Sequence, residues 1–533
     1  MQRISLPHLL GLASLLLTGL GAAGCGGGSS GGGGFVASTA AASSPAGTAP
    51  GSTSGAAVAA VTSLRLPPDL VLTGDVTLAY RLEDPASAPV DVEVAFSEDA
   101  GATWSPCTPA AGSSPTTARA TAPAPGAEHT FTWNTQADVG QVAPQVLVRV
   151  TPLGGVERTE GPVTIDNQPL STTYTLARFP YLQDTRQTST VIAWRTAQET
   201  DTVVEWGETP ALGQVAGNPG VRTKSHDVLL QGLRPGARYY YRIMALGQPV
   251  TPRLEVRAAP PSSAGDFTFL AFGDSGTGEP SQLDVARRMV GEQADFAIHL
   301  GDVIYPYGAL ADPVGEYNDK FFTPYADLLQ RTPIFPVIGN HDLIALLGQP
   351  FKEVFFLPDN GDQLARELYF SFEWGDAKFI ALETTGLFLV PLGEHMRWLQ
   401  REISSNQRKW LIVYMHVGLY SSGNHGDNRI LQQVLGPLFE NGRVDLVIQG
   451  HDHHYERSHP IKDFNRDPAY PGLVYVVSGG GGARTYSVSP RSKTAAWARA
   501  HHFMKFRAQG DDLHGEAIDP NGQVLDRFTI RNQ

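Results

Sequence analysis

The chain has 533 residues, of which 41% are hydrophobic and 17% are charged, and this composition is typical of a globular protein rather than a disordered one. A chain of this length is expected to fold into three or four domains. The formal net charge of -13 excludes a protein that holds nucleic acid through its overall field, so an anionic substrate must be attracted by a local feature.

Residues 1–25 have the pattern of an export signal. Arg3 precedes an apolar run, residues 9–20, that is too short for a membrane-spanning helix, and small residues then lead to Cys25. This ending resembles a bacterial lipoprotein signal, although Ala22 stands where that family usually has Leu. The resemblance implies that Cys25 carries a lipid anchor. An ordinary signal peptide that is cut nearby is the alternative.

Residues 26–60 consist largely of Gly, Ser, Ala, Thr and Pro, and we predict a flexible stalk because they cannot bury enough apolar surface to offset the entropy of ordering. With Cys25 in the leader, Cys107 stands alone in the sequence, which excludes a disulfide framework. We expect the protein to contact a membrane only through this lipid anchor. It would place the protein in a bacterial cell envelope, at the outer membrane or cell surface. Without the anchor, the protein would be periplasmic or secreted.

Residues 61–168 are predicted to form an all-β module, because short alternating runs are separated by turns that contain Pro and Gly. The module resembles an immunoglobulin-like sandwich. Its aromatic side chains are expected in the core, and the alternative is that Trp104 and Trp133 bind a sugar or a partner. The predicted strands cover residues 76–80, 90–96, 130–133 and 146–150.

Residues 169–260 are predicted to form a second β module, with strands at residues 189–194 and 202–206. The string Leu233-Arg-Pro-Gly-Ala-Arg-Tyr239 resembles the fibronectin type III signature. That resemblance implies that Tyr239 bonds back to the backbone at a corner of the sandwich, which is a structural role.

From residue 265 to residue 533 the pattern is typical of an α/β domain, in which strands alternate with helices. Residues 267–272 and 296–300 are strongly apolar, which predicts buried strands. Between them, residues 281–292 have helical spacing after a Ser/Gln cap region. The apolar residues at that spacing are Leu283, Ala286, Met289 and Val290.

Five short polar motifs lie in this α/β domain, and each begins where an apolar strand ends. Open α/β sheets bind their ligands at this edge. Each motif alone is weak, because a Gly-Asp pair is usually a turn and a strand-end His is usually a satisfied polar group. Chance is a poor explanation for five such motifs that all lie at strand ends. They are Gly273-Asp274-Ser-Gly276, Gly301-Asp302-Val-Ile-Tyr305, Gly339-Asn340-His341-Asp342, Val413-Tyr-Met-His416 and Gly450-His451-Asp-His453.

The motifs offer two kinds of metal ligand. Oxygen atoms come from Asp274, Asp302, Tyr305 and Asn340, and imidazole nitrogens come from the histidines that the motifs contain. Mixed oxygen and nitrogen ligands without thiolate suit Fe, Zn or Mn better than a structural zinc or a calcium ion. The set is sufficient for two metals if one carboxylate bridges them. The histidines are His416, His451 and His453.

The arrangement resembles the calcineurin-like metallophosphoesterase superfamily and, within it, the purple acid phosphatases. The superfamily generally has a His two residues after the first Asp, where this chain has Gly276. Purple acid phosphatases have a tyrosinate instead, and Tyr305 matches its position three residues after Asp302. The resemblance implies a two-sheet β core flanked by helices, preceded, as in the plant-type enzymes, by a fibronectin-like module.

The resemblance also implies a ligand set. Fe(III) would be held by Asp274, Tyr305, His453 and a bridging Asp302. A divalent Zn, Fe or Mn ion would be held by the same Asp302 together with Asn340, His416 and His451. A metal-bound hydroxide would then attack phosphorus in line, so no Ser or Cys nucleophile is needed.

His341 and His425 match the histidines that contact substrate in this family, and either one would bind phosphate or protonate the leaving alkoxide. A solvated loop histidine is the alternative for His425, and Gly426 stands where the plant-type pattern often has a second His. The glycine run at residues 478–482 is expected as a close backbone approach to the site. Four further histidines are expected to support the site or to lie at the surface: His454, His459, His501 and His502.

The expected function is that of an exported acid phosphatase that hydrolyses small-molecule phosphomonoesters and has no nucleic-acid partner. A phosphodiesterase or nucleotide-processing enzyme with the same metals is one alternative. A surface-binding protein with a vestigial metal domain is another. The sequence leaves the physiological substrate, the divalent metal and the oligomeric state open.

Overall fold

The computed structural model describes residues 58–67, 71–306, 313–361, 365–385, 393–466 and 473–532. The predicted export signal with Cys25, and the predicted stalk as far as residue 57, lie outside the described residues. Among the described residues, none of the helices combines the length and the apolar character that crossing a membrane requires.

The first β-rich segment contains two sheets that share one core. One sheet has the order β1-β3-β6 and the other the order β2-β8-β7-β4-β5. Buried side chains from both sheets belong to a single cluster, in which Phe96 packs on Trp133 with ring centroids 5.0 Å apart. The elements are β1 (Ala60–Arg65), β2 (Val71–Leu72), β3 (Asp75–Glu83), β4 (Val92–Ser97), β5 (Ser105–Pro106), β6 (Ala127–Asn134), α1 (Thr135–Asp138), β7 (Val142–Pro152) and β8 (Arg158–Asp166).

The aromatic residues of this segment have different environments. Trp133 is fully buried, as expected of a core residue, and its indole N–H donates to Asp138 Oδ2 at 2.6 Å. Trp104 is partly exposed, and the Arg149 guanidinium lies 4.2 Å from its ring centroid. The four predicted strands coincide in large part with β3, β4, β6 and β7. The immunoglobulin-like identity of the segment stays a prediction.

The second β-rich segment is a six-stranded sheet in which β10 is central. The order is β11-β10-β12-β13, with β9 paired to β10 and β14 paired to β12. The Arg234 backbone N–H donates to the Tyr239 hydroxyl at 2.8 Å, so the backbone contact expected of Tyr239 is confirmed. The strands are β9 (Leu176–Gln183), β10 (Ser189–Gly207), β11 (Gln214–Gln231), β12 (Arg238–Ala245), β13 (Gln248–Pro249) and β14 (Leu254–Arg257).

Buried hydrogen bonds join this sheet to the C-terminal α/β domain. The Tyr181 hydroxyl donates to Val354 O at 2.7 Å, and the Gln183 side-chain amide donates to Ile334 O at 3.0 Å. Because these bonds are buried, breaking one would leave polar groups without water or partner. The sheet therefore forms part of the support of the α/β domain.

The α/β domain contains two larger sheets with one core between them. The six-stranded sheet has the order β17-β16-β15-β27-β28-β29, and the seven-stranded sheet has the order β18-β19-β20-β21-β25-β22-β26. Strands β15, β16 and β17 run parallel, as do β19, β20, β21 and β25. The strands of the domain are β15 (Phe267–Phe272), β16 (Phe296–His299), β17 (Ile334–Pro336), β18 (Phe370–Trp374), β19 (Ala377–Leu382), β20 (Trp410–Met415), β21 (Leu446–Gln449), β22 (Tyr455–Ser458), β23 (Ile461–Lys462), β24 (Asn465–Arg466), β25 (Val474–Ser478), β26 (Thr494–Ala498), β27 (Phe503–Gln509), β28 (Asp512–Ile518) and β29 (Val524–Arg531).

The longer helices pack apolar faces against this core. Leu399 and Leu435, one from each of two helices, are both fully buried in it. A π-helical turn, residues Asn318–Phe322, and a 3₁₀ turn, residues Leu346–Gly348, lie between shorter helices. The helices are α2 (Pro280–Val290), α3 (Pro313–Tyr317), α4 (Ala326–Leu329), α5 (Asn340–Ile344), α6 (Gln349–Val354), α7 (Glu394–Ser404) and α8 (Arg429–Asn441).

Helix α2 buries Ala286 and Met289 as predicted, but it does not bury Leu283. Leu283 is 38% exposed, whereas Gln282 is fully buried. The Gln282 amide is satisfied there, because its oxygen accepts from Gly278 N at 2.8 Å and its nitrogen donates to Lys320 O at 2.6 Å. The cap also differs, since Glu279 precedes the helix without a side-chain cap bond and Pro280 begins it. On the buried face of α2, a polar side chain with nearby hydrogen-bond partners therefore takes the place that the spacing predicted for an apolar one.

Candidate metal centre

The five predicted motifs meet at one edge of the domain. Asp274, Asp302 and Asn340 follow β15, β16 and β17 of the six-stranded sheet, and His416 and His451 follow β20 and β21 of the seven-stranded sheet. The expected strand-end placement is confirmed. Because parallel strands end at the same edge of their sheet, the two sheets bring their polar side chains to one place.

One cluster of side chains surrounds the Tyr305 hydroxyl. Its oxygen lies 3.1 Å from Asp274 Oδ1, 3.1 Å from Asp302 Oδ2 and 3.1 Å from His453 Nε2. His453 Nε2 also lies 3.4 Å from Asp274 Oδ1. These four side chains are the set that the family resemblance assigned to Fe(III).

A second cluster surrounds His416. Its Nε2 lies 2.9 Å from Asn340 Oδ1, 3.3 Å from Asp302 Oδ1 and 3.2 Å from His451 Nδ1. The potential ligand atoms of Asp302, His416 and His451 all lie within 4.8 Å of one another. These are the side chains that the resemblance assigned to the divalent ion.

Asp302 belongs to both clusters through different oxygen atoms. Its Oδ2 faces the Tyr305 hydroxyl, and its Oδ1 faces His416 Nε2. The carboxylate is 1% exposed, and Oδ1 also accepts the His341 backbone N–H at 2.8 Å. Asp302 therefore occupies the position of a bridge between the two clusters.

Hydrogen bonds behind the rings fix which nitrogen of each His faces the clusters. His416 Nδ1 lies 2.7 Å from Leu300 O, and His453 Nδ1 lies 2.9 Å from Arg484 O. A carbonyl oxygen accepts only, so each Nδ1 carries a proton, and in the neutral form of each ring the lone pair lies on Nε2 and faces its cluster. This orientation is the one that metal-binding histidines have.

Three of the candidate ligands have backbone angles in the left-handed region. The φ angles are 57° for Asp274, 50° for Asp302 and 71° for His451. Residues other than glycine rarely adopt this conformation, and it costs on the order of 1–3 kcal/mol when they do. The strain sits at the ends of strands that carry the polar clusters, which is where functional strain concentrates.

The glycines of the two most specific motifs allow close packing rather than an unusual turn. A Cβ atom on Gly339 would lie 2.1 Å from the Asp302 backbone nitrogen, and one on Gly450 would lie 2.5 Å from Leu300 O. Any side chain at either position would push the strand-end segments apart. The separation of the two clusters therefore depends on both glycines.

The electrostatics of the clusters are those of a site built for cations. Burial and the Asp274 and Asp302 carboxylates raise the pKa of Tyr305 well above 10. Burial and the neighbouring His416 lower the pKa of His451 to about 2, so its lone pair is free. Two carboxylates, a phenol and imidazole lone pairs that converge in a buried space suit a multivalent cation, which would favour the ionised phenolate and offset the carboxylate repulsion.

The two predicted substrate histidines lie beside the clusters. His341 Nε2 is 4.0 Å from Asp302 Oδ2, and its ring lies 4.6 Å from the Tyr305 ring. His425 is exposed, and its ring stacks on the His451 ring with a centroid distance of 3.9 Å and an angle of 27°. The structure thus brings both histidines to the centre.

The remaining predicted residues lie around the centre. The glycine run approaches it through the backbone, since Gly481 N donates to Gly273 O at 2.9 Å and a Cβ atom on Gly479 would lie 2.8 Å from Asp274 Oδ2. His454 and His502 are fully buried, with contacts to Glu456 and Ser478 respectively. His459 and His501 are partly buried.

Two residues near the centre were missed from the sequence. Tyr486 stacks on His453 with ring centroids 4.1 Å apart, but no spacing pattern links it to the motifs. Asp342 is buried, and its carboxylate accepts backbone N–H groups from Val303 and Gly339 at 3.0 and 2.9 Å. Its place within the Gly-Asn-His-Asp motif was a signal in the sequence that could have identified it. In the structure, Asp342 ties two segments that carry candidate ligands to each other.

Comparison with known proteins agrees with this geometry. Residues 267–455 match the family described as calcineurin-like phosphoesterase. Over 401 residues the chain is 25% identical to acid phosphatase type 7 of Danio rerio, covering 64% of this chain and 88% of that protein. Over 294 residues it is 24% identical to purple acid phosphatase 15 of Arabidopsis thaliana, covering 49% and 54% of the two chains.

A solved structure shares the architecture. The purple acid phosphatase PPD1 from seeds of yellow lupin, Lupinus luteus, aligns with a TM-score of 0.59 and 19% sequence identity. The alignment covers 88% of this chain and 95% of the lupin chain. At that identity the likeness concerns the fold, and it extends through most of the β-rich part as well as the α/β domain.

Proposed function

Because the chain is a purple acid phosphatase-like metallophosphoesterase, and so a metal-dependent hydrolase of phosphoric esters, we propose that it works with two metal ions on phosphomonoesters. One observation carries the proposal. Asp302 lies between two clusters, with Oδ2 3.1 Å from the Tyr305 hydroxyl and Oδ1 3.3 Å from His416 Nε2. A carboxylate in that position serves two ions at once.

The proposed ligands divide by chemistry. The oxygen-rich cluster of Asp274, Tyr305 and His453 suits Fe(III), which favours an anionic phenolate. The cluster of Asn340, His416 and His451 suits a divalent Zn, Fe or Mn ion, since imidazole binds all three. When bound, two such ions would supply a water of lowered pKa as the nucleophile and a positive field for the phosphate oxygens. Such a field would attract an anionic substrate to an acidic protein.

The residues of the chain supply the remaining steps. The His341 imidazole is oriented by the contact of its Nδ1 with Pro306 O, and the His425 ring stacks on His451. They flank the candidate metal ligands, where one imidazole binds a phosphate oxygen and a protonated imidazole gives its proton to the leaving alkoxide. The clusters position the phosphate between these two rings, and neither Ser nor Cys is required as a nucleophile.

The names of the relatives support the choice of substrate, because both the zebrafish and the Arabidopsis proteins are called acid phosphatases. Metal analysis of the purified protein, together with turnover of p-nitrophenyl phosphate and bis(p-nitrophenyl) phosphate from pH 4 to pH 8, tests the proposal. We expect two metal ions per chain and a clear preference for the monoester. A preference for the diester would assign the chain to phosphodiester hydrolysis instead. A fully metallated protein without turnover would favour a binding role.

Tyr305→Phe tests the proposed iron. A tyrosinate bound to Fe(III) absorbs visible light through charge transfer, so the variant should lose the visible band while it keeps most of its metal. The matched control is Tyr486→Phe, which removes the hydroxyl of the ring stacked on His453 and should leave the band in place. An unchanged spectrum in Tyr305→Phe would contradict a tyrosinate-iron bond.

We also propose that the protein is exported and anchored by a lipid on Cys25, and that its two β-rich segments are immunoglobulin-like and fibronectin type III-like modules. The support is the sequence of residues 1–25 and the strand patterns of residues 61–260. Cys25→Ser in the full chain, expressed in a bacterium, should move the protein from the membrane fraction to the soluble fraction. A membrane fraction that is unchanged would argue against the anchor.

A further inference from the structure

The loop that carries His425 is held by a carboxylate from the segment that carries His451 and His453. Asp452 Oδ1 accepts the His425 backbone N–H at 3.0 Å, and Oδ2 accepts the Ser421 hydroxyl at 2.5 Å. Ser421 Oγ in turn accepts the Gly423 N–H at 2.9 Å. Asp452 is 2% exposed, so these bonds satisfy a carboxylate that water does not reach.

A second buried carboxylate holds the same loop from the other side. Glu456 accepts the Ser422 backbone N–H at 2.6 Å and the Ser422 hydroxyl at 2.7 Å. It also accepts the Thr494 hydroxyl at 2.7 Å. The two carboxylates follow β21 and are four residues apart, so the loop, residues 417–428, is fixed to one short segment.

The loop packs closely on this segment. A Cβ atom on Gly423 would lie 2.8 Å from Asp452 Cγ and 2.4 Å from His454 Cε1. Glycine is therefore required for the approach that lets Asp452 reach the loop backbone. The position of His425 relative to the centre is set by this contact.

The His425 ring has little else to hold it. It is exposed, and its nitrogens make no hydrogen bond within the described part of the chain. Its ring contacts are the stack on His451 at 3.9 Å and an edge contact with Tyr486 at 5.8 Å. The ring stays over the centre because the loop backbone is anchored, and the bond to Asp452 is the one that anchors His425 itself.

We propose that Asp452 is a positioning residue that acts through His425, holding the imidazole where it serves the leaving group; this rests on the proposed function. An ionised carboxylate accepts from both donors, and such charge-assisted bonds are stronger than neutral ones. In Asp452→Asn one oxygen is replaced by an NH₂ group that donates. The Ser421 hydroxyl can turn to accept from this group, so the remaining bonds become neutral and weaker, and the hold on His425 is loosened.

The dependence on the leaving group separates this role from a general structural one. An alkyl phosphate leaves as a strongly basic alkoxide that needs a proton, whereas p-nitrophenolate leaves without one. Loss of a positioned general acid lowers the rate on the order of 10²-fold or more, and the loss falls on the substrate that needs the proton. Because Asp452→Asn loosens the acid without removing it, kcat for ethyl phosphate should fall by about tenfold or more, up to that limit, and kcat for p-nitrophenyl phosphate should change less.

The experiment uses the metallated full-length enzyme and a double-mutant cycle. The variants are Asp452→Asn, His425→Ala and the pair, measured on both substrates with metal content determined for each. The matched control is Asp445→Asn, a buried carboxylate near the opposite end of β21 that accepts the Leu411 N–H at 2.8 Å. It should keep the wild-type ratio of the two rates.

If Asp452 acts through His425, Asp452→Asn has almost no further effect in the His425→Ala background. Equal losses on the two substrates, multiplicative losses in the pair, or loss of metal from Asp452→Asn would each overturn the proposal. Amide hydrogen exchange gives a readout independent of turnover. The His425 and Gly423 amides should exchange faster in Asp452→Asn, and unchanged exchange would overturn the proposal. This readout does not depend on turnover, so it tests the proposal even if the enzyme hydrolyses neither substrate and the proposed function fails.

Discussion

Buried polar groups are arranged differently in the β9–β14 sheet and in the metal centre. In the sheet, His226 is 3% exposed, and its two ring nitrogens lie 2.8 Å from the Thr196 hydroxyl and 2.9 Å from the Thr202 hydroxyl. A hydroxyl rotates to donate or accept, so these neighbours satisfy the ring. At the centre, His416 Nε2 faces three potential ligand atoms at once: Asn340 Oδ1 at 2.9 Å, Asp302 Oδ1 at 3.3 Å and His451 Nδ1 at 3.2 Å. The first arrangement is complete without a ligand, whereas the second gathers ligand atoms that suit a cation.

The same contrast is visible in the pKa values of two buried histidines. Burial lowers the pKa of His226 to about 4, although the Asp201 carboxylate acts in the opposite direction. Burial acts on His416 in the same direction, but the Asp302 and Asp274 carboxylates outweigh it and raise the pKa to about 9. Negative charge around a buried imidazole therefore distinguishes the centre from a structural site.

The largest expected effect comes from removing one nitrogen ligand. His416→Ala should lower kcat/KM by about 10³-fold or more, because metal ions supply several kcal/mol of transition-state stabilisation. Metal content should fall toward one ion per chain, and the β-rich segments should stay folded by circular dichroism. His514→Ala is the control. Within the described part of the chain, the His514 ring has a hydrogen bond only with the Thr529 hydroxyl, and His514 is not among the candidate metal ligands. Full activity in His416→Ala would refute the assignment.

The structural histidine should make the protein sensitive to acid. His226 binds a proton near pH 6.5 when unfolded and near pH 4 when folded, so protonation favours the unfolded state. Its contribution is present above pH 6.5, is lost as the pH falls from 6.5 to about 4, and does not change further below that. At about 1.4 kcal/mol per pH unit, this corresponds to about 3 kcal/mol.

NMR titration of the His226 ring measures this directly, with a midpoint expected at about 4. Urea unfolding of the wild type and of His226→Gln at pH 7 and pH 4 gives the stability. The wild type should lose about 3 kcal/mol more than the variant between the two pH values. An NMR midpoint near 6.5 would contradict the buried, neutral state.

A smaller effect is expected at His341, which lies beside the centre but outside the ligand set. His341→Ala removes an imidazole that the proposed function assigns to phosphate binding, and loss of one such donor lowers kcat on the order of 10²-fold. Metal content should stay at the wild-type value, because the His341 backbone N–H that contacts Asp302 is retained. Loss of metal with the activity would instead make His341 part of the metal site.

The sequence was sufficient to predict the strand ends and the side chains that meet there, because each motif is local and follows an apolar strand. The sequence was not sufficient to predict contacts between loops. Tyr486 reaches His453, and Asp452 reaches His425, through the relative positions of segments that no local pattern relates. Their identities become meaningful only when the distances are known.

The helix α2 shows a second limit. Apolar spacing predicted Leu283 on the buried face, but Gln282 is buried there because Gly278 and Lys320 offer matching backbone partners. Periodicity measures hydrophobicity and contains no information about such partners. Tyr239 was predictable for the opposite reason, since its hydrogen-bond partner lies five residues away in the same motif.

The smallest expected effect belongs to that tyrosine. Tyr239→Phe leaves the Arg234 N–H without the hydroxyl oxygen that accepts it at 2.8 Å, and one such bond contributes about 1 kcal/mol to stability. The free energy of unfolding should fall by about that amount, measured by urea, with kcat and metal content unchanged. Tyr174→Phe is the control, because the Tyr174 hydroxyl has no hydrogen bond among the described residues and the variant should unfold like the wild type. Because the Tyr239 bond is complete without metal, the loss should be the same for metal-loaded and metal-depleted protein, and a loss confined to the metal-loaded form would contradict its purely structural role.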